Sequence, residues 1–138
     1  MNAKKDFQIT LTNEKAEEIF FEALCNGQYY LGDYGFELDY PVIEYAKAKK
    51  ELESKTTELN EYSIAWEDVL MQILRNGHEL RLINVEEEEI FSITLQDVYK
   101  NMALVPTFHL MDMINHKDDA VTADAILQTI FFKDIVYC

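Results

Sequence analysis

The chain has 138 residues, 49% of them apolar, and carries 26 acidic side chains against 12 basic ones for a net charge of −14. Length and composition fit one globular domain over 1–138 with a real core and argue against disorder, while the charge works against binding DNA, RNA or anionic membranes. Cys25 and Cys138 make neither a disulfide framework nor a zinc pattern, which points to a reducing cytoplasm; no apolar stretch reaches the roughly 18 residues of a membrane span, and Met1 to Leu11 lacks the apolar run of a signal peptide.

Phe7 to Leu11 alternates apolar and polar residues and reads as a short strand. Thr12 or Asn13 can cap the helix that follows, in which Ala16, Ile19, Phe20, Ala23 and Leu24 recur at helical spacing. Asn26-Gly27 is read as its end, because glycine tolerates the left-handed conformation that closes a helix. An offset of fifty residues relates Glu17, Leu24, Asn26 and Gly27 to Glu67, Leu74, Asn76 and Gly77. This is either a duplicated helix–turn–strand unit or, as preferred here, the likeness of any two amphipathic helices with glycine ends.

Gln28 to Tyr40 is dense in aromatic residues and reads as irregular. Tyr29, Tyr30, Tyr34 and Phe36 are the ligand-binding candidates, since rings with polar tips suit stacking on a base; the competing reading has them closing the core. Pro41 suits the start of a helix, begun by Val42, Ile43, Tyr45 and Ala46, whose lysines and glutamates then interleave as a solvated face. Thr56 to Tyr62 reads as a link.

The clearest pattern runs from Ile64 to Lys100. Trp66, Val69, Leu70, Ile73 and Leu74 fall on one helical face, Glu67 and Asp68 suit its first turn, and Asn76-Gly77 ends it. Leu80 and Leu82 share one side of a strand; Phe91 and Ile93 share one side of the next. Glu86 to Glu89 link them, so 79–94 forms a hairpin. Thr94 with Asp97 predicts a capping box for a helix that Pro106 stops. Thr107 then caps a short helix carrying Phe108, Met111 and Ile114 on its apolar face, and Asn115 to Asp119 is a polar break. Ala123, Ile126, Leu127, Ile130 and Phe131 predict an amphipathic helix, and Ile135 to Tyr137 a final strand. The expected architecture is α+β: a small antiparallel sheet packed by four to six helices.

No P-loop, dinucleotide-binding, nucleophile-elbow or His-Glu-x-x-His motif occurs. His109, Asp112 and His116 share a helical face at a spacing that can bind a metal; without further ligands they are a weak candidate beside a solvated face, and no metal or cofactor is expected. Glu86, Glu87, Glu88 and Glu89 do not alternate as calcium ligands do. Cys25, on an apolar helix, reads as packing rather than as a nucleophile.

Three segments resemble a known family: 23–30 (Ala-Leu-Cys-Asn-Gly-Gln-Tyr-Tyr), the hairpin and cap over 80–98, and 118–128 continuing into 131–137. The family comprises small uncharacterised proteins of phages, prophages and other bacterial mobile elements. Its pattern more often has Gly-Gly and a tryptophan in the first segment and ends in Gly, where this chain has Asn26-Gly27, Tyr30 and Cys138. The resemblance implies a mobile-element gene and a cytosolic product, and brings no catalytic residues. Charge and resemblance together lead to the expectation of a non-enzymatic acidic protein that binds a host protein with a basic surface, through Glu86, Glu87, Glu88 and Glu89. The alternative is a nucleotide or second-messenger binder using the aromatic segment.

Overall fold

A computed structural model of the chain describes residues 10–55, 64–117 and 120–137. Among the described residues it has six helices and a three-stranded antiparallel sheet, an α+β fold. The elements in chain order are α1 (Asn13–Asp33), β1 (Glu37–Asp39), α2 (Val42–Lys55), α3 (Trp66–Arg75), β2 (Leu80–Asn84), β3 (Glu89–Ile93), α4 (Leu95–Met102), α5 (Thr107–Ile114) and α6 (Ala120–Phe132). No helix among the described residues is long and apolar enough to cross a membrane.

The stretch from α3 to α4 follows its local signals. Val69, Leu70, Ile73 and Leu74 are buried, and the chain turns after Arg75 through Gly77 at φ +90, a conformation glycine adopts without strain. In β2, Leu80, Leu82 and Asn84 face inward and Arg81 and Ile83 outward. β3 pairs in the register Leu80↔Ile93 and Leu82↔Phe91 on the inner side, Ile83↔Ile90 on the outer. Thr94 Oγ1 accepts from the Asp97 amide at 3.3 Å and the Asp97 carboxylate accepts from the Thr94 amide at 2.9 Å, which closes the capping box of α4. β1 occupies the other edge of the sheet, with Leu38 opposite Leu82.

Helix α1 differs from expectation. It does not end at Asn26-Gly27 but runs to Asp33 and turns at Gly35, φ +95. Gly27 is a helix-interior residue pressed against α6: a Cβ on it would lie 2.8 Å from Ala123 Cβ and from the Asp124 amide nitrogen. The glycine is there for close approach between two backbones, so the likeness to Asn76-Gly77 does not mark a repeated unit. Tyr29 and Tyr30 are therefore helical rather than irregular.

Helix α6 is not amphipathic. Every residue from Thr122 to Phe131 is buried, as befits a central helix packed by α1, α4, α5 and β3. Its Gln128 and Thr129 side chains find partners in place. Thr129 donates to the Ala125 carbonyl at 2.8 Å, and Asn101 of α4 donates to the Ile130 carbonyl at 2.8 Å. Residues 135–137 form no strand; Gln128 takes a strand's place. Its Oε1 accepts from the Val136 and Tyr137 amides at 2.8 Å each, and its Nε2 donates to the Tyr137 carbonyl at 3.0 Å. The tail's hydrogen bonds are thus met by one buried side chain rather than a ladder.

Helix α5 buries a different stripe from the one expected, of which only Ile114 packs against the core. Leu110 and Met113 are buried while Phe108 and Met111 are exposed, because α5 lies against α6 and α1 through the 110/113 stripe. Its N-cap is Pro106, without a side-chain cap bond, and Thr107 is already helical. The start of α2 is likewise outward-facing at Val42 and Ile43, and its one buried residue is Ala48. The expected first strand falls mostly outside the described residues, and Thr10 and Leu11 are in no regular element; the expected link over 56–62 lies outside them, as does the end of the polar break.

Candidate functional site

The four glutamates of the hairpin are not equivalent. Glu86, Glu87 and Glu88 form the exposed turn, while Glu89 is the first residue of β3, half-buried and paired with Asn84. Asn84 organises the turn. It is buried at the end of β2, and its Oδ1 accepts from the Glu87 amide at 3.1 Å. Glu88 takes the left-handed conformation, φ 54, that lets the chain reverse. Three carboxylates thus point outward from one tight turn, with no basic side chain paired to them among the described ion pairs.

A second acidic surface, which the hairpin pattern did not announce, lies between α1 and α3. A groove of about 320 Å³ is lined by Glu14, Glu17, Glu18 and Phe21 from α1 and by Asp68, Met71 and Arg75 from α3. Its cation is already committed: Arg75 Nε donates to Glu17 Oε1 at 2.8 Å, while Tyr99 of α4 donates to Glu17 Oε2 at 2.5 Å. Burial pushes the Glu17 carboxyl upward, but these two hydrogen bonds and the Arg75 charge outweigh it and leave it below its ordinary value. Burial and the bond to Glu17 push the Tyr99 hydroxyl up to about 12. Cys25, read from the sequence as packing, is exposed on α1 with its thiol partly shielded, and it reports the field beyond the groove. Burial, then the charges of Glu67, Asp68 and Glu22, raise its thiol to about 11, so it is a poor nucleophile near neutrality. The signal for this surface was present in part: Glu14, Glu18 and Glu22 recur every four residues and so share a helical stripe. That α3 would bring Glu67 and Asp68 alongside was not legible in either helix alone.

The aromatic segment separates into two groups. Tyr29 is exposed and stacks on Tyr30, ring centroids 4.9 Å apart. Tyr34 stacks on Tyr137 at 4.8 Å and donates to the Asp124 carboxylate at 2.7 Å. Phe36 is buried among Phe91, Phe132 and Tyr137. Tyr34 and Phe36 therefore close the core over the sheet and the C-terminal tail. None of the four lines the groove above or the cavity of about 230 Å³ enclosed by Leu11, Ala16, Tyr99, Met102 and Leu110.

His109 and Asp112 lie half-buried on α5, but His116 stands beyond its end at φ 56. Among the described residues no three His, Cys, Asp or Glu side chains are placed to hold a metal ion. In comparisons with known proteins, the chain matches no family model, no curated protein and no solved structure.

Proposed function

We propose that the chain is a non-enzymatic acidic interaction protein of a phage or other mobile element, which binds and inhibits a host protein with a basic surface, such as a nucleic-acid-handling or defence enzyme. The observation that supports this most is the unbalanced acidity around the α1–α3 groove. Glu14, Glu17, Glu18 and Asp68 line it, its arginine is bound by Glu17 and Lys15 pairs with Glu18, and beside it the charges of Glu67, Asp68 and Glu22 add to burial in raising the Cys25 thiol to about 11. Like charges four residues apart on a helix repel by about 0.2–0.5 kcal/mol per pair, so a stripe of Glu14, Glu18 and Glu22 works against the helix that carries it, with the Lys15–Glu18 pair at 3.3 Å offsetting part of that repulsion. A complementary cationic surface would relieve that repulsion. The carboxylates would occupy positions where phosphates otherwise sit on a basic groove, and the remote field would speed encounter. The hairpin turn, Glu86 to Glu88, offers a second contact of the same sign.

The test is capture from a bacterial lysate on the immobilised chain, with elution by a salt gradient and mass spectrometry of the eluate. The reading expects a protein with a basic surface that elutes as salt rises and whose nucleic-acid activity falls when the chain is added back. A captured protein that resists salt, or whose activity is untouched by the chain, would contradict it.

A further inference from the structure

The sheet exposes apolar side chains on its outer side. Its inner side, Leu80, Leu82 and Ile93, is buried against the helices. Its outer side is two rows set by the strand register. One row is Glu37, Ile83 and Ile90; the other is Asp39, Arg81 and Ser92. Ile90 is 60% exposed and Val85, which continues the outward alternation of β2, is 71% exposed. Two exposed β-branched residues beside Ile83 on a sheet are an apolar patch without a partner among the described residues, and such patches mark contacts. The rim around it is acidic. Glu37 lies at one edge and Glu86, Glu87 and Glu88 at the hairpin turn, all exposed, while Arg81, the cation of these two rows among the described residues, is bound by Asp39.

We propose that this outer sheet face docks a basic amphipathic helix of the partner, its apolar stripe on Ile83, Val85 and Ile90 and its lysines or arginines on Glu37 and Glu86 to Glu88. The inference rests on the reading of an acidic protein with a basic partner, and adds the place and the kind of segment. Dimensions agree: three strands about 4.8 Å apart give a face about 10 Å across, the width of one helix. β2 and β3, five residues each and about 17 Å long, match about three helical turns, and β1 adds three residues along one edge. Interfaces place an apolar centre inside a polar rim, and here the rim has one sign. That sign also decides against a second copy of this chain. A symmetric pairing through this face would set the glutamates of one copy near those of the other, in a protein already at −14.

The experiment uses the full chain, isotope-labelled, and a synthetic helical peptide of leucine and lysine, about fourteen residues long, with a leucine–glutamate peptide as its counterpart. Amide shifts should appear at Glu37 and across 81–92. Replacing Val85 and Ile90 together by Ser should weaken the lysine peptide about tenfold or more, as should reversing Glu37, Glu86 and Glu87 to Lys. These side chains are exposed, so thermal melts should remain that of wild type, and a variant that melts early is replaced by the single change Ile90→Thr. Shifts confined to Glu14, Glu18, Glu22 and Glu67 would overturn the docking face while leaving the acidic-partner reading intact. Equal binding of the glutamate peptide would overturn it as mere apolar adhesion. Concentration-dependent dimerisation abolished by the Ser pair would assign the face to a second copy instead.

Discussion

Replacing Gly27 by Ala pits two effects of opposite sign against each other. Within a helix interior, alanine is favoured over glycine by about 1 kcal/mol, so local propensity alone would stabilise the variant. Packing says otherwise. The new Cβ would sit 2.8 Å from Ala123 Cβ and the Asp124 amide nitrogen and 2.9 Å from the Ala123 carbonyl carbon, against the roughly 3.5–4.0 Å of relaxed carbon contact. Two of these three atoms are backbone and the third is a Cβ fixed to it, so α1 and α6 must separate by about 0.7 Å rather than a side chain swinging away. Overpacking costs about 1–3 kcal/mol, and a clash against backbone belongs at the upper end. The net expectation is a loss of about 2 kcal/mol, or roughly 8 °C in Tm for a domain of this size. Gly32, near the end of the same helix, has nothing within 4 Å of a built Cβ, so Gly32→Ala should gain up to about 1 kcal/mol. Urea melts of both variants give the comparison directly. A Gly27→Ala protein as stable as wild type would refute the close approach of α1 and α6.

Gln128→Leu should release the C-terminal tail by unpairing the Val136 and Tyr137 amides and the Tyr137 carbonyl; about 1–3 kcal/mol should be lost, and hydrogen exchange at these two amides should become fast while Leu82 stays protected. Cys25 should alkylate slowly at pH 8 and accelerate toward pH 11, and Glu22→Lys or Glu67→Lys should speed the reaction at pH 8 by lowering the thiol's pKa; unchanged rates would remove the evidence for a negative field there. Because the Glu17 carboxyl is held below its ordinary 4.5 by Tyr99 and Arg75 against the opposing pull of burial, its contribution to stability is present above that pH and lost as pH falls through the folded value. Glu17→Gln should therefore flatten the acid limb of urea midpoint against pH below about 4.5, and an identical limb in the variant would contradict the assignment.

How far the fold could be read from the chain depended on where its information lay. The α3–hairpin–α4 stretch was legible because each signal is local: an apolar stripe, a glycine turn, alternating Leu80 and Leu82, a Thr94–Asp97 cap. Gly27 was misread because a helix-ending glycine and a helix-crossing glycine look alike until the crossing partner, Ala123, is known. Helix α6 was read as amphipathic from its apolar residues, yet its polar Asp124, Gln128 and Thr129 are buried too, with partners as distant in sequence as Tyr34. The outward Phe108 and Met111 show the same thing: an α5 rich in apolar residues on two faces does not say which one α6 takes. Of the acidic surface, the hairpin turn was visible as a run of glutamates, whereas the α1–α3 groove exists only through the pairing of two helices.

The central claim is that recognition is carried by these carboxylates, and the most direct measurement is the affinity of the captured partner across a series of salt concentrations. Exposed charges are screened over about 8 Å at physiological ionic strength, so binding should weaken steadily as salt rises. It should fall further when Glu86, Glu87, Glu88 and Glu89, or Glu14, Glu18, Glu22 and Glu67, are reversed to Lys. Affinity that is independent of salt, survives both reversals and is lost on Tyr29→Ala would contradict the account and move recognition to the aromatic end of α1.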